Sequence, residues 1–188
     1  MPHNPDKGDH RQNWATPRAF FKGLDATFRF NLDVCAEPWS ACCEDFYVAQ
    51  VDGLAQPWCG TLPGEQARVW CNPPFGNVRP WLEKAIDSVL EHDSLCVFLL
   101  PASTGSAWFH ELIYDKADIG FVRGRLNYMP PPDAGDVADS ATFDSMIAVY
   151  HMDALRGREP PSCFTVSRRG EMYPAMPRAI QRQLNFGG

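Results

Sequence analysis

The chain has 188 residues, of which 45% are hydrophobic and 12% aromatic, and its formal net charge is −6. This size and composition predict one globular domain with a substantial core, and the charge argues against a surface that is positive throughout. No apolar stretch approaches the roughly 18 residues of a membrane span, and the N-terminus lacks the apolar segment of a secretory signal, so we expect a cytoplasmic protein without membrane contact.

The cysteines argue against a disulfide framework and against a zinc site. Their number is odd and none of them forms a C-x-x-C pair; the seven positions are Cys35, Cys42, Cys43, Cys59, Cys71, Cys96 and Cys163. We therefore expect reduced, mostly buried thiols and no metal site.

Positive charge is concentrated near the C-terminus. Residues 154–188 hold six arginines against Glu159 and Glu171, a local charge of +4 that leaves −10 for the remainder. We interpret this stretch as a basic C-terminal extension. A polyanion meets local rather than net charge, so the extension could contact a phosphate backbone, and a solvated tail is an equal alternative.

The N-terminal part is predicted to start with a flexible arm, residues 1–13. Thr16-Pro17 has the hydroxyl and the proline of a helix start, and apolar residues then follow at helical spacing from Phe20 to Phe28. The next predicted elements are a strand at 28–36, a short helix at 40–47 and a turn at 51–58.

The remainder alternates strands with helices. Strands are predicted at 67–72, 94–102, 118–124 and 144–152, helices at 80–92 and 106–117, and an irregular loop at 124–141. This alternation predicts an α/β fold with a mostly parallel sheet and helices on both faces. Asp33, Asn72 and Pro101 each lie at the end of a predicted strand, which is where open α/β sheets bind ligands.

The stretch Asn72-Pro73-Pro74-Phe75 ends a strand with a polar group and an aromatic ring on a stiff backbone. The Asn72 side-chain oxygen and the Pro73 carbonyl could accept both hydrogens of one planar amine, and Phe75 could stack on its ring. Such acceptors would localise the nitrogen lone pair for attack on an electrophilic carbon, by positioning rather than by acid–base chemistry. A tight turn whose asparagine bonds local backbone is the alternative.

These four residues resemble the Asn/Asp-Pro-Pro-Tyr/Phe motif of amino-methyltransferases. Further blocks in one order make residues 13–151 similar to the phage-type DNA adenine methyltransferase (Dam) family: WATPRAFFKGLDATFRFNLDVCA, DGLAQPW, VWCNPPFGN, PWLEKA, LLPASTGSAWF and GRLNY. The resemblance implies a Rossmann-like class I methyltransferase fold with a mostly parallel seven-stranded sheet, its catalytic domain spanning 14–153. It also implies transfer of a methyl group from S-adenosylmethionine to the exocyclic amine of an adenine flipped out of DNA, in host cytoplasm for a phage protein. No obligatory protein partner is evident.

The resemblance assigns two sets of site residues. Asn72, Pro73, Pro74 and Phe75 would be catalytic. The cofactor site would comprise Trp14, Thr16, Pro17, Asp33, Cys35, Ala36, Asp52 and Asn72. The glycine-rich turn usual in methyltransferases is replaced here by Ala36-Glu37-Pro38, which leaves Glu37, Glu44 and Asp45 as candidates for a ribose contact, each with a solvated surface role as the alternative.

Other residues have both a functional and a structural interpretation. Cys71 is expected to be a core thiol rather than a nucleophile, and His92, His110 and His151 lack metal-ligand spacing. Ser103 and Thr104 could line the target pocket or cap a helix, and Arg123 and Arg125 could contact phosphate or pair with surface carboxylates.

The substrate is open to alternatives at this point. The Asn-Pro-Pro-aromatic motif specifies only a planar amine, so a cytosine amine, RNA or protein glutamine could take the place of adenine. A non-catalytic nucleic-acid-binding module on the same fold is the alternative from another class. Recognition of DNA would fall to the loop at 129–142, the segment 52–68 and the basic C-terminal part.

Overall fold

The computed structural model describes residues 14–60, 62, 64–133, 142–173 and 178–185. The predicted arm at 1–13 and residues 134–141 of the predicted loop lie outside the described residues. The helices are α1 (Arg18–Phe28), α2 (Arg79–His92), α3 (Met152–Leu155) and α4 (Arg178–Asn185), with a 3-10 turn at Ala49–Val51 and a π-helical segment at Phe109–Ile113. The strands are β1 (Leu32–Asp33), β2 (Asp45–Phe46), β3 (Arg68–Cys71), β4 (Leu95–Pro101), β5 (Asp118–Val122), β6 (Ser145–Tyr150), β7 (Cys163–Val166) and β8 (Met172–Tyr173).

All eight strands belong to one sheet with the order β2-β1-β3-β4-β6-β5-β7-β8. The pairs β1–β2, β1–β3, β3–β4 and β5–β7 are parallel, and β6 runs antiparallel between β4 and β5. Strand β8 is antiparallel to β7. As a result β1, β2, β3, β4, β5 and β7 all end at the same edge of the sheet, which we call the carboxyl edge.

The sheet is covered by helices on both faces, as predicted, because its central strands are apolar on both sides. In β4, Cys96, Phe98 and Leu100 pack in the core cluster that contains Leu82 and Val89 of α2. The alternate residues of β4 pack in a second cluster, with the phenylalanines of α1 and with Ile180 of α4: Leu95, Val97 and Leu99. Such a strand reads as a continuous apolar run.

The expectation of seven strands is wrong for this chain, since the described residues form eight. Strands β7 and β8 come from the predicted basic extension at 154–188 and continue the sheet beyond β5. A buried polar group fixes this stretch to the sheet. Asp118 Oδ1 accepts hydrogen bonds from the Ser162 backbone N–H and hydroxyl at 2.6 and 2.7 Å, and Asp118 Oδ2 lies 2.7 Å from His151 Nε2. The predicted division at residue 153 stays a prediction.

The short helix predicted at 40–47 is wrong, and the strand predicted at 28–36 contracts to β1. Residues 45–46 instead form β2, which pairs with β1. The backbone before β2 is held by other partners: Arg18 donates to the Ala41 carbonyl at 2.6 Å, and the Cys42 N–H donates to Asp33 at 3.0 Å. These tertiary hydrogen bonds outweigh the local helical pattern.

The cysteines are free thiols, of which Cys71 and Cys96 are buried, four are half-buried and Cys163 is exposed. The expectation of mostly buried thiols therefore holds for two of the seven. Within the described parts of the chain, no helix is both long enough and apolar enough to cross a membrane.

Candidate functional site

A cavity of about 290 Å³ opens at the carboxyl edge, beside the ends of β1 and β3. Its walls come from five segments: the residues before α1, the end of β1 with the loop after it, the turn after β2, the end of β3 with the Asn-Pro-Pro turn, and the start of α2. The lining residues are Trp14, Ala15, Thr16, Asp33, Val34, Cys35, Ala36, Glu37, Ser40, Cys42, Tyr47, Val48, Ala49, Asp52, Gly53, Trp70, Asn72, Pro74 and Trp81. The sheet topology thus brings chemically diverse side chains together around one concave site, as small-molecule sites require.

Asn72 is one of the residues that line this cavity, and its side-chain amide is held in a fixed orientation. Its Nδ2 donates a hydrogen bond to the Trp14 carbonyl oxygen at 2.9 Å, and a carbonyl can only accept. The Asn72 Oδ1 therefore points away from that bond, and among the described residues this oxygen is buried without a hydrogen-bond donor. A buried acceptor without a partner is rare in native proteins and calls for an explanation, such as a ligand donor.

Trp14 is itself held by the segment that follows β5. The Ala15 N–H donates to the Met129 carbonyl at 2.8 Å, and the Met129 N–H donates back to the Ala15 carbonyl at 2.9 Å. This two-bond bridge positions the Trp14 carbonyl, and through it the Asn72 amide.

Phe75 lies outside the lining of the cavity, in an aromatic group with Tyr128 and Phe143. Its ring is edge-to-face with Phe143, with centroids 5.4 Å apart, and with Tyr128, with centroids 6.0 Å apart. The Tyr128 hydroxyl is fixed by a hydrogen bond to the Ser145 hydroxyl at 3.0 Å. Edge-to-face packing holds the half-buried Phe75 ring in one orientation.

The Asp33 carboxyl is only 3% exposed and organises the loop after β1. Its two oxygens accept hydrogen bonds from the backbone N–H groups of Cys35 and Cys42 at 3.3 and 3.0 Å. Burial raises the pKa of Asp33 to about 6, against the opposing effects of those two N–H groups and the charge of Arg18. Asp33 thus shapes the cavity wall as well as lining it.

The Asp52-Gly53 turn comes very close to the end of β1. A Cβ on Gly53 would lie 2.1 Å from the Val34 carbonyl oxygen, so only glycine fits there. Asp52 lines the cavity, has φ +50° and accepts a hydrogen bond from the Leu54 N–H at 3.1 Å through one carboxylate oxygen; its other oxygen has no hydrogen-bond partner among the described residues.

Comparison with known proteins identifies the family of this chain. Residues 4–174 match the profile of the family described as "DNA N-6-adenine-methyltransferase (Dam)". The chain belongs to this family. It is 32% identical over 117 residues to the DNA N-6-adenine-methyltransferase of Escherichia phage T1, covering 62% of this chain and 47% of that protein. It is 24% identical over 156 residues to the protein of the same name from Haemophilus phage HP1, covering 82% of this chain and 86% of that protein.

Most residues predicted from the Dam resemblance meet at the cavity. Of the predicted cofactor set, seven line it: Trp14, Thr16, Asp33, Cys35, Ala36, Asp52 and Asn72. Pro17, Pro73 and Phe75 do not. Among the ribose candidates Glu37 lines the cavity, whereas the exposed side chains of Glu44 and Asp45 lie elsewhere. The binding roles of these residues stay predictions.

Sequence reasoning missed several residues that line the site of this Dam-family chain. Tyr47, Trp70 and Trp81 contribute aromatic surface, and Gly53 permits the close turn. The sequence signal for Gly53 was its place in the Asp52-Gly53-Leu54 block. Trp70 and Trp81 flank the Asn-Pro-Pro motif, but the pattern of their segments indicated only core positions.

The other residues considered as functional candidates lie mainly in positions that suit structural roles. Cys71 is fully buried, and burial raises the pKa of its thiol well above the ordinary range, as suits a core position. His92 and His110 are exposed, whereas the His151 ring caps α3 by accepting from the Ala154 N–H at 3.4 Å. Ser103 and Thr104 are exposed in the turn after β4. Arg125 lies 3.8 Å from Asp144 in an exposed ion pair.

Proposed function

We propose that this protein transfers a methyl group from S-adenosylmethionine to the exocyclic amine of adenine in DNA. The observation that supports this proposal best is the Asn72 Oδ1. It is a buried acceptor without a described donor, it belongs to a residue that lines the cavity, and the bond from Asn72 Nδ2 to Trp14 fixes its orientation. The aligned segment spans about half of the T1 relative, and family membership and the cavity chemistry support the proposal together.

The residues around the cavity fit the proposed cofactor. S-adenosylmethionine supplies an electrophilic methyl group on a positively charged sulfur. The cavity presents the carboxyl groups of Asp33, Glu37 and Asp52, which suit a cationic ligand with amine and hydroxyl donors. The Trp14 and Trp81 rings add aromatic surface, which attracts cations and stacks on purines. A volume of about 290 Å³ is at the lower end of the range for small-molecule sites.

Within this site Trp14, Thr16, Cys35 and Ala36 would form the wall near the donor, next to Pro17, which does not line the cavity. Asp52 would accept from the amine of the cofactor's own purine. Thr16 is buried, whereas Asp52 is exposed. Asp33 would act mainly by holding the 35–42 loop, because both its oxygens already accept backbone hydrogen bonds.

The target amine would be positioned by two oxygens of the Asn-Pro-Pro turn. Asn72 Oδ1 would accept one amine hydrogen, and the Pro73 carbonyl, which no donor among the described residues bonds, would accept the other. Both acceptors are neutral, so they draw the lone pair onto nitrogen without removing a proton first. S-adenosylmethionine bound in the cavity would supply the methyl group. The two oxygens would hold the amine nitrogen with its lone pair directed at the donor, and the nitrogen would release one proton to water once it is methylated.

A base paired inside a duplex cannot reach this turn, so the adenine must leave the stack. Phe75 would then contact the flipped ring, with its orientation fixed by Tyr128 and Phe143. Pro74 contributes rigidity to the turn and lines the cavity.

The test is tritium transfer from labelled S-adenosylmethionine to DNA, followed by mass spectrometry of the nucleosides. We expect N6-methyladenine, and loss of about two orders of magnitude in rate for Asn72→Ala. Asn77→Ala is the matched control, since Asn77 is an exposed asparagine five residues along the same turn. Label found in a cytosine amine, in RNA or in protein would show that the proposed substrate is wrong. Equal activity of the two variants would show that Asn72 has no part in the mechanism.

A further inference from the structure

The carboxyl edge carries a second group of functional side chains, away from the cavity. Strands β5 and β7 are parallel neighbours, so their ends lie side by side, and the Arg123 N–H continues the pairing by donating to the Val166 carbonyl at 2.7 Å. Four exposed arginines follow these two strands: Arg123, Arg125, Arg168 and Arg169. We call them the arginine edge.

Two turns place the arginine edge in a defined conformation. Gly124 has φ +84°, and a Cβ there would lie 3.5 Å from Cδ of Arg168, so the Arg168 side chain crosses the backbone between Arg123 and Arg125. The turn after β7 is closed around Ser167, whose Oγ accepts from the N–H groups of Arg169 and Glu171 at 3.1 and 3.2 Å. Because hydrogen bonds already hold this turn in one conformation, its arginines would lose less conformational entropy on binding a ligand than arginines in a loose tail would.

That turn is also docked on α1. A Cβ on Gly23 would lie 1.7 Å from the Arg169 carbonyl oxygen, and a Cβ on Gly170 would lie 2.4 Å from the Phe20 carbonyl oxygen. The two glycines therefore allow backbone-to-backbone contact between the helix and the turn. The position of Arg168 and Arg169 is fixed relative to the fold.

Few carboxylates neutralise these four charges. Among the described residues, Arg123, Arg168 and Arg169 have no ion pair, and Arg125 has only the contact with Asp144 at 3.8 Å. Exposed ion pairs of this kind contribute little energy. Glu171 lies in the turn, but its Oε2 accepts from the Ser167 and Tyr173 hydroxyls at 3.1 and 3.2 Å. Elsewhere on the surface, arginines such as Arg79 and Arg158 pair with carboxylates.

The carboxyl edge is thus polarised. Its β1 end carries the carboxyl groups of the cavity, and its β5–β7 end carries the arginine edge. On a chain with a net charge of −6, a polyanion is attracted only where positive charge is local. The geometry points to the arginine edge as the surface that binds the phosphate backbone of duplex DNA flanking the target adenine. This inference deepens the proposed function and rests on it.

The spacing agrees with that role. Adjacent strands lie about 4.8 Å apart, so β5 and β7, three and four strands from β3, place the arginine edge about 14–19 Å from the end of β3. One strand of DNA rises about 3.4 Å per nucleotide, so the arginines would meet phosphates about four to six nucleotides from the target adenine. Arginine is suited to such contacts by its fixed fork of donors.

The test measures the affinity of a duplex of about 20 base pairs as a function of salt, for the wild type and for Arg168→Gln/Arg169→Gln and Arg123→Gln. Each lost phosphate contact should reduce the slope of log affinity against log salt by about 0.9 and weaken binding about eightfold at 0.1 M salt relative to 1 M. The matched control is Arg156→Gln, an exposed arginine after α3 at the opposite edge of the sheet.

Two further measurements make the result specific. A duplex that ends about three base pairs beyond the target adenine, truncated on one side or the other, should abolish the difference between wild type and variants on one of the two sides. Cofactor affinity and melting temperature should match those of Arg156→Gln. Salt slopes equal to that control on the long duplex would overturn the inference, and equal losses on both truncated duplexes would do the same.

Failure of the inference and failure of the proposed function are distinguishable. A wild type that methylates adenine, with arginine variants that bind as the Arg156→Gln control does, leaves the methyl transfer in place and removes the arginine edge. A wild type that methylates no DNA, but binds duplex with a salt slope that the arginine variants reduce, removes the reaction and keeps the surface.

Discussion

The Asn72 side-chain nitrogen and the Trp14 carbonyl oxygen lie 2.9 Å apart, joined across 58 residues of sequence. This bond uses the nitrogen of the Asn72 amide and leaves its buried oxygen without a donor among the described residues. The segment before α1 is therefore part of the geometry of the Asn-Pro-Pro turn, although no sequence motif connects them.

Asn72→Asp tests the orienting bond. An ionised carboxylate cannot donate to the Trp14 carbonyl, and two oxygens at that distance repel, so we expect methyl transfer to fall about tenfold or more. A protonated Asp can donate, so the ratio of variant to wild-type kcat/KM should rise as the pH falls from about 8 to 6. A ratio that does not change with pH, measured by label transfer, would contradict the assigned orientation.

Asp33→Asn tests the buried carboxyl. The folded-state pKa of Asp33, about 6, exceeds the ordinary value of 3.8, so the folded protein holds this proton more tightly than the unfolded chain does. The resulting contribution to the free energy of unfolding is fully present below about pH 4 and is lost as the pH rises through 6. Between pH 5 and pH 7 the loss should be about 1 kcal/mol. Urea unfolding at several pH values should show this dependence in the wild type and in Asp45→Asn, whose carboxyl is exposed, and not in Asp33→Asn.

Gly53→Ala tests the close turn. The added Cβ would meet the Val34 carbonyl at 2.1 Å, so the turn must move away from β1. We expect a loss of about 2–4 kcal/mol in the free energy of unfolding and weaker cofactor binding by calorimetry. Gly105→Ala is the control, since a Cβ at Gly105 has no atom within 4 Å. Equal stability of the two variants would show that the turn adapts without strain.

His151→Ala tests the buried group that joins β5, β6 and β7. Asp118 would lose its partner at 2.7 Å in a buried site, which we expect to cost about 2–4 kcal/mol in stability. The kcat of the folded fraction should stay unchanged, because the group lies at the opposite edge from the cavity. Thermal unfolding and steady-state rates check both parts, with the exposed His92→Ala as the control; a lower kcat at full folding would assign the pair a role in the reaction.

Phe75→Tyr and Phe75→Leu separate ring stacking from bulk. Tyr keeps the flat ring and should retain most activity, whereas Leu fills part of the volume without a face for the base and should raise the KM for DNA about tenfold. The KM for the cofactor should be unchanged in both, since Phe75 does not line the cavity. A parallel rise in the cofactor KM would indicate that the Phe75 packing supports the cavity as well.

The sequence predicted the central part of the fold well because its periodic signals are strong. The apolar run of β4 and the amphipathic pattern of α2 appear where expected. The helix predicted at 40–47 does not form because the backbone there is hydrogen-bonded to two side chains from elsewhere in the chain. Arg18 binds the Ala41 carbonyl, and Asp33, nine residues before Cys42, binds the Cys42 N–H. The sequence did not predict β7 and β8 because both strands are short and the arginines around them indicated a basic extension.

The same contrast holds at the site. The motif predicted the Asn72 side-chain oxygen and the Pro73 carbonyl as a pair of acceptors, but only tertiary structure shows that the Asn72 nitrogen donates to Trp14. Asp33 was predicted to belong to a cofactor site, and in the fold its carboxyl also holds the loop after β1 through two backbone hydrogen bonds, a role that no linear pattern signals. Arg168 and Arg169 appeared only as part of a charge excess until β7 placed them beside Arg123.

The reciprocal bonds between Ala15 and Met129 join a wall of the cavity to the segment that carries Tyr128 and that begins at the arginine edge. A small molecule that orders Trp14 would therefore also order the side of the protein that meets the nucleic acid. Thermodynamic linkage makes such coupling mutual, so each of the two ligands would increase the binding affinity of the other by the same factor.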